Sequence, residues 1–139
     1  MSLKETLFEF ERYISKEWRM FVKEDPLAKL SFNEFDYLKV IQTAKEPIRI
    51  TDLAVEMMVT KPSASNMVVR LERKGLVRRI SDFEDARVKR VELTEQAKKD
   101  LSLEDKVYSL VVDKLERNVT KEESERVVEI LTKMLKNDT

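Results

Sequence analysis

The stretch RLERKGLVRRISDFEDARVKRVELT, residues 70–94, contains the chain's only glycine, Gly75. Ahead of it an amphipathic run ends, and a single glycine at that point suits the left-handed residue that stops a helix. Behind it, LVRRIS and RVKRVELT read as two strands joined by the tip DFEDA. Val91 and Leu93 share one face of the second strand and point to a core. Lys89 and Arg87 continue the same parity toward the tip, beyond the reach of a small core. The expectation is a hairpin with an apolar base and basic arms.

Working back from Gly75, Thr60 is the expected N-cap of KPSASNMVVRLERK, with Pro62 in the first turn, where proline is tolerated. Ala64, Met67, Val68 and Leu71 make its inner face, and Lys61, Ser63, Ser65, Asn66 and Arg70 stay outside. Thr51 is the expected N-cap of a short helix with Leu53, Ala54 and Met57 inward. Before that, SFNE at Ser31 spells a capping box, and Phe35, Leu38 and Ile41, with Val40, form the stripe of the helix it opens. Residues 3–22 carry Leu3, Leu7, Phe10, Ile14, Trp18 and Phe21 at spacings of three and four. Phe8, Tyr13, Met20 and Val22 widen that stripe, and Asp25-Pro26 should end the helix.

Working forward, Thr94 caps a fifth helix patterned by Ala97, Leu101, Tyr108, Val111 and Leu115. A restart at Ser102 would kink it. Thr120 and Glu123 give a second capping box, and the last helix is expected to bury Val127, Val128, Leu131, Met134 and Leu135.

Composition narrows the function classes. The 139 residues suit one domain of ordinary size. The chain has no cysteine and no histidine, which removes disulfides, the usual zinc sites and histidine-based catalysis. No nucleophile–base pair, phosphate loop or metal cluster is visible, so the chain does not read as an enzyme or as a holder of cofactors. Nor does any apolar run approach the ~20 residues that span a bilayer, and the first ten residues lack the layout of a signal peptide. Formal net charge is zero, with 27 basic and 27 acidic residues. That balance hides an asymmetry: residues 60–92 carry nine basic and five acidic side chains, whereas 1–59 and 93–139 each carry nine and eleven. The basic middle is what attraction to phosphate requires.

Two short helices followed by a basic hairpin describe a winged helix-turn-helix, whose second helix enters the major groove of DNA. From Leu30 to Thr94 the chain resembles the MarR family of bacterial and archaeal transcription regulators. The resemblance is carried by LSFNEFDYLKVI, ITDLA, MVVRLERKGLVRR and DARVKRVELT, and most specifically by Gly75, Leu76, Val77, Arg79, Asp85, Arg87, Val91, Leu93 and Thr94. It implies that Arg87 reaches into a minor groove while Asp85 holds the wing or the arginine in place. Ala86 stands where the family often has a second basic residue, and Phe83 where it often has proline.

The resemblance further implies a mainly α fold with a small β-hairpin wing. Residues 31–94 would form the DNA-binding part of a single domain, flanked by dimerisation helices in 1–25 and 95–139. The expected DNA-binding set is Lys61, Ser63, Ser65, Asn66, Arg70, Arg78, Arg79, Asp85, Arg87 and Lys89. The expected partners are double-stranded DNA and a second copy of the chain, in a cytoplasmic repressor without membrane association. A small aromatic effector would also fit the family, with Trp18, Tyr37 and Tyr13 as pocket residues; the plainer reading packs these aromatics into the core. A second function class stays open, a winged-helix module that docks an acidic protein partner.

Overall fold

The computed structural model describes residues 1–21 and 30–136. The elements are α1 (Leu3–Phe21), α2 (Phe32–Thr43), β1 (Ile48–Arg49), α3 (Ile50–Met57), α4 (Lys61–Arg73), β2 (Val77–Ser81), β3 (Lys89–Leu93), α5 (Glu95–Glu116) and α6 (Lys121–Leu135). They fall into two compact units, one of residues 22–104 and one of residues 1–21 with 105–139. The expected helix end at Asp25-Pro26, and Val22, lie outside the described residues.

In the 22–104 unit, helix starts follow local chemistry. The Ser31 hydroxyl accepts from the Glu34 N–H at 3.1 Å, and Glu34 Oε1 accepts from the Ser31 N–H at 3.1 Å. The other Glu34 oxygen receives Lys74 Nζ at 2.6 Å, so one carboxylate both caps α2 and ties it to the end of α4. Burial pushes the Glu34 carboxyl up, but the bonds from Lys74 and Ser31 outweigh it and leave it below its ordinary value. Phe35, Leu38 and Ile41 are buried as their spacing predicts, and Tyr37 joins them. Leu38, Leu53 and Leu71 are fully buried, each worth roughly 1.5–3 kcal/mol relative to exposure.

Strand β1 has no counterpart in the sequence reading. Ile48 and Arg49 pair antiparallel with Val91 and Arg90, completing a sheet of order β1-β3-β2. That pairing corrects the start of α3. Arg49 is held extended by the ladder and becomes the N-cap, without a side-chain cap bond, and the helix begins at Ile50 instead of after Thr51. Helix α3 ends on Met58 at φ 56°, with the Val59 N–H donating to the Ala54 carbonyl at 3.0 Å. A methionine in the left-handed region costs about 1–2 kcal/mol, and this side chain is almost fully exposed. Met58→Gly should therefore stabilise the protein by about 1 kcal/mol after the added freedom of the unfolded chain is counted, seen as a rise of several degrees in the thermal midpoint.

Helix α4 begins as expected, with Thr60 Oγ1 accepting from the Ser63 N–H at 3.2 Å. It buries Ala64, Met67, Val68 and Leu71. Gly75 takes φ +74°, and the Leu76 N–H closes back on the Leu71 carbonyl at 3.0 Å. A Cβ at Gly75 would meet nothing within 4 Å, so the backbone angle alone asks for glycine. The chain then runs into the hairpin, in which Val77 pairs with Leu93 and Arg79 with Val91. Val77, Val91 and Leu93 are buried. Thr94 closes the base twice, since its hydroxyl donates to the Gly75 carbonyl at 2.7 Å and accepts from the Ala97 N–H at 3.3 Å.

Helix α5 is continuous through Ser102, whose hydroxyl donates within the helix to the Lys99 carbonyl at 2.6 Å instead of capping a restart. Its buried apolar residues are Ala97, Leu101, Val107 and Val111. Tyr108 is exposed and Leu115 half-buried, so the stripe turns slightly from the one expected. In the unit formed by 1–21 and 105–139, Lys114 Nζ meets Glu17 Oε2 at 2.6 Å, and Trp18 is buried. With Tyr37 also buried, two of the three aromatics are core residues; Tyr13 is half-buried.

The capping box at Thr120 and Glu123 forms as expected. The expected burial along α6 does not occur within one chain. Val127, Val128, Leu131, Met134 and Leu135 are all exposed, as are Leu3, Leu7, Phe8 and Phe10 of α1. The apolar pattern is legible in the sequence, but these side chains stay exposed in the single chain.

Candidate nucleic-acid interface

The outward face of α4 and one face of the wing enclose a cleft of about 370 Å³, lined by Arg49, Ile50, Thr51, Lys61, Ser65, Arg79, Arg87, Val88 and Lys89. The placement follows from two periodicities. Lys61 and Ser65, four apart, stand on one side of α4. Arg79 and Lys89 share the sheet face of Val77, Val91 and Leu93 but lie nearer the tip, where the core no longer covers them. Five cations and no carboxylate line the cleft.

The cations are held lightly. Arg79 makes a two-pronged contact with Glu72 at 3.0 and 3.4 Å, and Lys89 donates to Ser81 Oγ at 3.0 Å. Arg87 curls onto Asp85, its backbone N–H donating to Oδ1 at 3.0 Å, Nε to Oδ1 at 3.2 Å and Nη2 to Oδ2 at 3.4 Å. The Arg87 side chain is nonetheless 92% exposed. Its guanidinium and N–H hold the Asp85 carboxyl below the ordinary range. Exposed pairs of this kind contribute little to stability, so they orient the arginines and yield readily to a phosphate.

Of the expected residues, Lys61, Ser65, Arg79, Arg87 and Lys89 meet in the cleft, and Asp85 braces Arg87. Ser63, Asn66 and Arg70 are exposed on α4 outside it. Ser63 already receives a hydrogen bond from the Thr60 hydroxyl at 3.0 Å. Arg78 departs from the set: strand alternation puts it on the other face of the sheet, paired with Glu92 at 2.9 Å.

Two polar cleft residues, Arg49 and Thr51, lie outside the expected set, because only the pairing of β1 with β3 brings that segment to the wing. A third omission is Asp82, read merely as part of the tip. It is buried, accepts from the Arg90 guanidinium, and accepts from the N–H groups of Glu84 and Asp85 at 3.2 and 3.1 Å. The bond from Arg90 first, and those two N–H groups after it, hold the Asp82 carboxyl below its ordinary range against the opposing effect of burial. Arg90, legible only as one more wing cation, is spent inside the fold. It also donates to the Pro47 carbonyl at 2.7 Å and lies 3.5 Å from Glu46. A buried acid among basic residues was the one signal that could have singled out Asp82.

The fold has counterparts among solved structures. Streptococcus pneumoniae FabT in complex with DNA superposes with a TM-score of 0.79 at 22% identity, covering 95% of this chain and 92% of that one. The S. aureus MepR–DNA complex gives 0.73 at 21% identity, over 97% of each chain. S. aureus MepR bound to ethidium bromide gives 0.70 at 21% identity, over 97% of this chain and 95% of that one. Residues 30–89, from the residue before the Ser31 cap to the first residue of β3, match the model of the MarR family. This chain thus shares their mainly helical fold with a small antiparallel wing, and over residues 30–89 it is similar to the MarR family.

Proposed function

We propose that this protein is a homodimeric, sequence-specific regulator of transcription, a cytoplasmic repressor that grips a pseudo-palindromic site on double-stranded DNA. The observation that carries the reading is the cleft, in which α4, the wing and the β1 end bring together five cations and no carboxylate lines the wall. Helix α4 would enter the major groove through Lys61, Ser63, Ser65, Asn66 and Arg70, and Arg87 would enter the flanking minor groove. Arg79, Lys89 and Arg49 are suited to phosphates, which fix register without reading sequence. Two copies would join through the exposed apolar faces of α1 and α6, presenting two such clefts about one helical turn apart.

Relatives support parts of this reading. FabT and MepR of the same fold are seen with DNA, and MepR also with ethidium bromide. An aromatic effector that relieves repression fits the same scheme. No described helix is long and apolar enough to cross a membrane.

The test is fluorescence anisotropy with the DNA upstream of the protein's own coding sequence against a scrambled duplex, over a salt series. The expected result is a preference of about a thousandfold, with the logarithm of affinity falling steeply and linearly with that of salt. Equal weak binding to both duplexes would remove sequence specificity from the proposal. Absence of binding at low salt would overturn it, and leave the winged helix as a module for an acidic protein partner.

A further inference from the structure

Asp82 does not line the cleft, yet it holds two of the segments that bring cations to it, the wing tip and the β1 end. Its Oδ2 accepts the N–H groups of Glu84 and Asp85, which shapes the turn that delivers Asp85 and Arg87. The same loop is closed by Asp82 N–H to the Val88 carbonyl and Val88 N–H to the Asp85 carbonyl, both 2.9 Å. Its Oδ1 takes the Arg90 guanidinium and stands 3.9 Å from Arg49 Nη2. Arg90 then reaches the carbonyl of Pro47, the residue just before β1. One buried carboxylate thus ties the tip loop, β3 and the start of β1 together. At the two ends of that tie are Arg87 and Arg49, both cations of the cleft.

We infer that Asp82 is a positioning residue for DNA binding, which sets the placement of Arg87 against Arg49 across the cleft and does not itself touch DNA. The inference rests on the proposed DNA-binding function. It also makes a prediction opposite in sign to simple electrostatics. A carboxylate near a polyanion repels it, so neutralising Asp82 should tighten binding if charge alone mattered. Asp82→Asn keeps the size and one acceptor oxygen but loses the charge that holds two arginines. Positioning therefore requires weaker binding from a more positive protein. Arg90→Lys provides a second route, because it preserves net charge while removing the planar fork that reaches Asp82 and Pro47 together.

The experiment compares wild type, Asp82→Asn, Arg90→Lys, Arg87→Ala and the Asp82→Asn/Arg87→Ala double variant by anisotropy on one duplex. Circular dichroism confirms the fold of each, and amide hydrogen exchange follows residues 83–88 in the free proteins. Each of Asp82→Asn and Arg90→Lys is expected to lose about tenfold in affinity, the scale of a hydrogen bond to a charged group. Faster exchange of the Asp85 and Val88 amides should accompany the loss. In the Arg87→Ala background most of the Asp82→Asn loss should vanish, because the residue being positioned is gone. Should Asp82→Asn fail to fold, Arg90→Lys with its own Arg87→Ala double carries the same comparison. Unchanged or tighter binding by both single variants overturns the inference, as does a loss that simply adds to that of Arg87→Ala. Wild type that binds no duplex overturns the DNA reading and this inference with it, an outcome distinct from either of those.

Discussion

Arg87→Ala is expected to weaken binding to the preferred duplex by roughly 5- to 150-fold, which is the ~1–3 kcal/mol of a well-made arginine contact with DNA. The thermal midpoint should stay unchanged. The side chain is 92% exposed at the wing tip, and its partner is Asp85 of the same loop, itself only partly covered. Removing it takes nothing from the core, and so exposed a pair contributes little to the fold. Anisotropy and thermal circular dichroism on the same preparation separate the two effects. Unfolding of the variant would make the Asp85–Arg87 pair structural, and full affinity would take Arg87 out of the interface. Arg78→Ala is the matched control, since it removes the same charge from the opposite face of the sheet, where Arg78 is paired with Glu92. The contrast between the two arginines tests the cleft itself, because a diffuse basic field would weigh them alike.

The residues that could be read in advance share one property: their partners lie within a few positions. The capping boxes at Ser31 and Thr120, the Thr60 cap and the stop at Gly75 are each closed by groups three to five residues away. The buried faces of α2 and α4 follow from helical period alone. What escaped reading is non-local. Strand β1 exists only through its pairing with β3, more than 40 positions on, and with it come the start of α3 and the entry of Arg49 and Thr51 into the cleft. Glu34 looked like a cap and nothing more, because Lys74 lies 40 positions away. Strand parity placed Lys89 on the face of Val91 and Leu93, but a list of wing cations drawn without regard to face also included Arg78, which lies on the other face. Met58 escaped for a different reason. A left-handed methionine breaks the local preference that makes such positions readable.

Leu131→Glu should convert the proposed dimer into a monomer and remove most of the specific affinity for DNA. The α6 stripe reads as apolar and destined for burial, yet it is exposed in the single chain, and the gap between those two facts motivates the test. Leu131 lies mid-helix among Val127, Val128, Met134 and Leu135, all exposed in the single chain, while α1 leaves Leu3, Leu7 and Phe10 exposed as well. Covering a side chain of this kind yields about 1.5–3 kcal/mol, and obligate dimers are held by apolar faces of this sort. A glutamate at the centre would have to be buried without a partner, which costs more than the leucine contributed. Since Leu131 is exposed in the single chain, sedimentation velocity should show a folded or partly destabilised monomer. Specific binding should then fall by about 10²–10⁴, because the second half-site no longer profits from being tethered to the first. Nonspecific binding should persist, with a shallower salt dependence because one cleft is engaged in place of two. A variant that stays dimeric would place the contact elsewhere and leave the exposed face of α6 to a different partner. A monomer retaining full specific affinity would instead mean that one wing and one recognition helix suffice, and the palindromic site would lose its reason.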